Sequence, residues 1–204
     1  MKTYRSTREV LAQIQRDLAT ARLAPGSNEP LEKVVETLSR GRHYLWVGLY
    51  LVVGDKLIRS CYRGPQPLAD SVELGDGNLG TAAKTGVAQI FQDVSAGLSS
   101  DKSLSETKSE AVQPIKLVTR VLGVVAVQSA QRFRPEDRVL LKQVSVLLAR
   151  FLTGRGKYLL RRANEAQRSS AGSARVAVRS APQAEKNYSG PAGLRAVAGT
   201  QTAK

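Results

Sequence analysis

The chain has 204 residues, with 31 Lys and Arg against 17 Asp and Glu, a formal charge of +14. That length buries a core of ordinary size without covalent staples. One cysteine, Cys61, excludes an intramolecular disulfide and a multi-cysteine zinc site, and one histidine, His43, excludes a His-rich metal centre.

The first residues, Met1 to Glu9, are polar and no apolar signal-peptide core follows them, so the expected location is cytoplasmic. Val10, Leu11, Ile14, Leu18 and Leu23 recur at helical spacing and predict an amphipathic helix over 5–23. Ala24 to Asn28 breaks it. A second helix is expected next, with Pro30 in its first turn, Glu29 and Glu32 complementing the helix dipole, and Leu31, Val34, Val35 and Leu38 on one face.

The period then changes to two. Leu45, Val47, Leu49, Leu51 and Val53 alternate with Tyr44, Trp46, Gly48, Tyr50 and Val52. Both faces are apolar, which predicts a central strand covered on each side. This is also the longest apolar run, about half the length that a membrane-spanning helix needs. Gly54-Asp55 is a hairpin signal, and Lys56 to Tyr62 returns as a strand. A short strand is expected near Val72–Leu74, a short helix over 81–84 and a strand over 87–94, followed by a polar loop to Thr107. Two further strands, Glu110–Leu117 and Arg120–Ser129, flank a tight turn at Val118-Thr119. Pro135-Glu136-Asp137 opens a last helix whose buried face is Leu140, Val144, Leu147, Leu148 and Phe151. Gly154 and Gly156 weaken its continuation through Tyr158 and Leu160.

Residues 153–204 hold 10 basic and 2 acidic side chains, net +8, against net +6 for residues 1–152. From Ala163 onward Ala, Gly and Ser dominate, and too little apolar surface remains to offset the entropy of ordering. A disordered basic tail over 163–204 is expected. It fits a weak contact with nucleic acid or an anionic surface, or a solvated tail with no partner; no aromatic interleaving favours the first. The organisation read from the chain is an N-terminal helix and linker (1–28), one α+β domain (29–152) with a mostly antiparallel sheet, and a helix extension with tail (153–204).

Several residues invite chemistry. Gly75-Asp76-Gly77-Asn78-Leu79-Gly80 has the G-x-G-x-x-G spacing, but Gly86 interrupts the helix that a dinucleotide site needs, and the next acid, Asp93, comes too early. A glycine turn into a short helix is the plainer reading. Cys61 lies inside a strand and reads as a buried inert thiol. His43 reads as an exposed residue at a helix-to-strand junction. Glu106 reads as a loop charge and Glu110 as a pocket residue. Trp46 and Tyr50 share a strand face and either line a pocket or pack as core. The irregular middle of the chain is where a small-molecule cavity would form.

Four segments resemble, in the right order, the GAF domain family of small-molecule-binding sensory modules. They are Gly80-Thr81-Ala82-Ala83 with Thr85-Gly86 and Asp93-Val94; Glu106 to Ile115; Arg120 to Ser129; and Phe133 with Pro135-Glu136-Asp137 and Leu140-Leu141. The resemblance covers roughly residues 29–152. It implies a central antiparallel sheet of about five to six strands with helices on one face and a pocket on the other, and candidate pocket residues Trp46, Tyr50, Asn78, Leu79, Glu110 and Gln128.

Trp46-Val47-Gly48-Leu49-Tyr50 also resembles a strand of one enzyme branch, the free methionine-R-sulfoxide reductases. That chemistry needs an attacking thiol and resolving thiols. On the resemblance, those cysteine positions fall on Ala69, on Leu79 and near Ser103 or Leu104, and two substrate-holding carboxylates fall on Ala126 and Gln128. Trp46 and Glu110 are retained. The resemblance therefore implies a non-catalytic relative with no metal site. It would bind an unidentified small molecule, with no cofactor identified. The apolar faces Val10 to Leu23 and Leu140 to Phe151 make the N- and C-terminal helices candidates for a homodimer helix bundle.

Overall fold

The computed structural model describes residues 5–21, 27–65, 69–92 and 106–166. In chain order the elements are α1 (Thr7–Thr20), α2 (Glu29–Gly41), β1 (Tyr44–Val53), β2 (Lys56–Arg63), β3 (Ser71–Glu73), α3 (Gly77–Thr85), β4 (Gln89–Gln92), β5 (Ser109–Leu117), β6 (Arg120–Ser129) and α4 (Pro135–Thr153). After a turn at 154–156 a fifth helix, α5, spans 157–166. The first four residues of the expected tail are thus helical, and 167–204 lie outside the described residues.

Local chemistry sets the helix ends. Ser6 and Glu9 form a capping box on α1: the Ser6 amide donates to Glu9 Oε2 at 2.8 Å and the Glu9 amide donates to Ser6 Oγ at 3.3 Å. At the start of α4 the Arg134 amide donates to Asp137 Oδ2 at 2.9 Å. Gly86, in the left-handed region, closes α3 by donating its amide to the Ala82 carbonyl.

The six strands form one antiparallel sheet in the order β3-β2-β1-β6-β5-β4. The α+β class and the antiparallel sheet expected from the sequence are therefore present. Helices α2 and α4 lie on one face, and α1 packs outside them against both. The main core fills this layer with Val10 and Ile14 of α1, Leu31 and Leu38 of α2, Leu140 and Leu148 of α4, and Val47, Leu49, Ile115 and Val127 of the sheet. Burying one such side chain contributes about 1.5–3 kcal/mol. The opposite face carries a smaller core of Trp46, Tyr50, Leu57, Val112, Val124 and Ala126, on which α3 seats Ala82 and Ala83. Both faces of β1 are covered, as its doubled apolar pattern requires.

Two elements depart from expectation. The register of β1 on β6 shifts between Tyr44 and Trp46. This bulge puts Tyr44 with the helix-face core rather than on the face of Trp46, which strict alternation had assigned it. Helix α3 begins at Gly77, not Thr81, and so contains Gly80. A Cβ on Gly80 would lie 2.2 Å from the Glu73 carbonyl oxygen, so the glycine serves a close approach to the end of β3 rather than a break.

A buried polar hub joins the helical layer to the sheet. Asp137 Oδ1 accepts the Tyr44 hydroxyl at 3.0 Å and lies 4.0 Å from Arg42 Nε. Arg42, 1 % exposed, also donates to Thr7 Oγ1 at 2.6 Å. One carboxylate thus connects α1, the end of α2, β1 and the start of α4.

Candidate functional site

The site is the sheet face turned away from α1, α2 and α4. Its floor is Trp46, which is fully buried. The indole lies along β1 over Gly48, where a Cβ would fall 1.9 Å from Trp46 Cη2. Only glycine leaves room for the ring there. Tyr62 of β2 stacks on the indole at 6.2 Å with 18° between the planes, and Tyr50 lies 6.5 Å away at 38°. Arg59 stands over the Tyr62 ring at 4.8 Å. The Tyr50 hydroxyl donates to the Ala69 carbonyl at 3.0 Å, and burial pushes its pKa up to about 12.

Polar groups enter from β5 and β6. Glu110 and Gln128 are cross-strand partners, and Gln128 is also the partner of Trp46 on its other side. Their parity places them on the face of Val112 and Ala126. Gln128 Oε1 accepts the Thr107 hydroxyl at 3.3 Å. Glu110 is 5 % exposed, and its Oε2 is buried without a hydrogen-bond partner among the described residues. Burial raises its pKa above the usual carboxylate range; the Asn78 side chain from the first turn of α3 pulls in the other direction and offsets part of the rise. An unpaired buried carboxylate oxygen costs about 1–3 kcal/mol or more. It can accept a hydrogen bond from a ligand N–H or O–H or, once protonated, donate one.

The structure brings the six sequence-predicted residues to one face: Trp46, Tyr50, Glu110 and Gln128 buried on the strands, Asn78 beside Glu110, and Leu79 packed on the small core. The sequence reading missed Tyr62, Arg59 and Thr107. The β2 register shifts where Ser60 is passed over between Cys61 and Arg59, so simple alternation cannot place Arg59 and Tyr62 together on this face. Thr107 precedes its strand and carries no periodic signal.

The remaining candidates lie elsewhere. His43 and Glu106 are exposed. Cys61 belongs to the helix-face core, on the opposite side of the sheet from Glu110. Burial first, and then the charge of Glu32, push its thiol up to about 12. Among the described residues no group of three or more His, Cys, Asp or Glu is placed to hold a metal, and no helix is long and apolar enough to cross a membrane.

The six-stranded antiparallel sheet with helices on it is shared with solved structures. Free methionine-R-sulfoxide reductase from Neisseria meningitidis, in complex with its substrate, matches at 24 % identity over 82 % of this chain and 99 % of that one, with a TM-score of 0.63. A GAF sensor protein from Burkholderia vietnamiensis, so described on a provisional basis, matches at 24 % identity over 71 % and 94 %, with a TM-score of 0.60. The A. aeolicus nlh2 GAF domain in an inactive state matches at 20 % over 73 % and 96 %, with a TM-score of 0.61. The fold is the GAF fold.

No protein-family model and no curated protein matches the chain by sequence. The GAF-fold neighbours include both reductases and sensor domains. Within this GAF fold, two positions that the resemblance assigns to reductase cysteines are filled otherwise. Ala69 offers its carbonyl to Tyr50, and Leu79 packs on the small core. The third, Ser103 or Leu104, lies outside the described residues.

Proposed function

We propose that this chain is a cytoplasmic, small-molecule-binding regulatory module of the GAF type that works without thiol chemistry. The observation that carries the reading is Glu110: a buried carboxylate with an oxygen unpartnered among the described residues, beside Asn78 and Gln128 and next to a floor of stacked aromatic rings. Such a group is costly to keep unless a ligand satisfies it. Trp46 is the sole tryptophan of the chain, so its fluorescence reports on this face directly. The deciding experiment is native mass spectrometry of the protein purified from its own host. A retained small molecule that is lost in Glu110→Ala is expected; a mass equal to the bare chain, with Trp46 emission indifferent to a metabolite library, argues against it.

The reductase reading has its own support in the N. meningitidis likeness and in the retained Trp46 and Glu110. Against it stands Cys61, the sole thiol, buried on the wrong side of the sheet. Thiol-dependent turnover of free methionine sulfoxide is expected to be absent. Activity that disappears in Cys61→Ser overturns the non-catalytic reading. A homodimer through the terminal helices remains part of the proposal. Its contact would use Val139 and Val146 of α4, 50 % and 45 % exposed, because Val10, Ile14, Leu140 and Val144 are spent inside the chain's own core.

A further inference from the structure

A second concave site lies on the helix-covered face of the sheet. Helix α5 crosses the β1–β2–β3 end, where it is anchored by buried Leu159 and by the Tyr158 hydroxyl, which donates to the Ser27 carbonyl at 3.2 Å. Between α5 and the strands a cavity of about 480 Å³ remains, within the size range of small-molecule sites. Leu51, Ile58 and Leu159 form its apolar wall, and Lys56 and Arg162 bring positive charge; no carboxylate lines it among the described residues.

The two cations are not equivalent. Lys56 pairs with Glu73 at 2.7 Å. Arg162 has Nη1 buried without a hydrogen-bond partner among the described residues. After the Lys56–Glu73 pair cancels, one positive charge is left over, on a planar fork suited to an oxyanion. Ser60 and Ser71 complete the wall. The volume and the apolar wall exceed what an inorganic ion fills.

We propose that this cavity binds a small organic monoanion, a carboxylate or sulfonate on an apolar body, with its charged end on Arg162 and its body against Leu51, Ile58 and Leu159. The site is independent of the Glu110 face, because the two lie on opposite sides of the sheet. Occupancy would fix α5 against the β1–β2–β3 end and so couple a ligand to the segment that leads into the basic C-terminal residues.

The probe is 1-anilinonaphthalene-8-sulfonate, titrated into the full chain and followed by its fluorescence, beside the neutral N-phenyl-1-naphthylamine. Saturable binding of the sulfonate, about tenfold or more tighter than the neutral compound, is expected. Arg162→Gln should weaken it about tenfold, whereas Arg162→Lys should hold it within a few-fold and the exposed neighbour Arg161→Gln should leave it unchanged. Ala163→Trp, which fills the cavity from α5, should abolish it. Wild-type binding in Arg162→Gln, or equal uptake of the neutral compound, overturns the proposal. If Ala163→Trp does not fold, Arg162→Gln decides alone, since its side chain is partly exposed and not part of the main core.

Discussion

The two faces of the sheet treat buried polar groups in opposite ways. On the helix-covered face Asp137 accepts from Tyr44 and from the Arg134 amide and lies beside Arg42, so its charge is compensated. On the other face Glu110 is equally out of water, yet one of its oxygens has no partner among the described residues. The first arrangement stabilises a fixed architecture. The second leaves a group that a ligand can satisfy. A substitution should therefore read out differently according to the side of the sheet on which it falls.

Asp137→Ala should show the largest effect. It leaves Tyr44 and Arg42 facing an empty acceptor position and removes the cap of α4, at a cost of about 3–5 kcal/mol. Urea unfolding measures this; a loss under about 1 kcal/mol would mean the hub is not what couples helices to sheet. Leu140→Ala, in the same layer, should cost about 3 kcal/mol by cavity formation without changing Trp46 emission. Gly48→Ala crosses to the other face. The indole must leave its seat, so about 2 kcal/mol should be lost together with a shift in Trp46 emission. A stability loss with unchanged emission would break the assignment of Gly48 to the indole.

Glu110→Gln should have the smallest effect on stability and the clearest effect on pH dependence. Burial raises the Glu110 pKa in the folded state, so the folded chain holds that proton more tightly than the unfolded one. Its contribution to stability is full below the ordinary carboxylate pKa and is lost as pH rises through the raised value. Glu110→Gln should flatten that part of the stability-against-pH curve and raise stability at neutral pH by about 1 kcal/mol. Unfolding midpoints measured across pH 4–8 for both proteins check it, where the pH range is on the order of the carboxylate window. An unchanged slope would place Glu110 in water and remove the contrast between the two faces.

Much of the fold was legible in the chain. The two-residue period of β1, the hairpin between β5 and β6, and the Pro135 start of α4 correspond to observed elements because each depends on neighbours in sequence. The alternation also placed Trp46 and Tyr50 together, whereas Glu110 and Gln128 were named as pocket residues with no pairing between them, which the strand register supplies. Local signals failed where one extra residue changes the parity of a strand. The bulge before Trp46 sends Tyr44 to the helix face, and the one at Ser60 brings Arg59 and Tyr62 to the same side. Gly80 read as part of the turn before the helix because its reason for being glycine, the close approach to the Glu73 carbonyl, appears only in three dimensions.

The sequence by itself determined the class of fold, because hydrophobic periodicity and turn chemistry are local and each element announces its own type. It also determined that a lone thiol cannot run a chemistry that needs several. Only the tertiary structure decided that Cys61 and Glu110 lie on opposite sides of the sheet and that Arg42 is buried against Asp137. It alone decided that a cavity remains under α5 with a guanidinium nitrogen unpartnered among the described residues. Burial and charge compensation are sums over residues far apart in the chain. No window of sequence contains them.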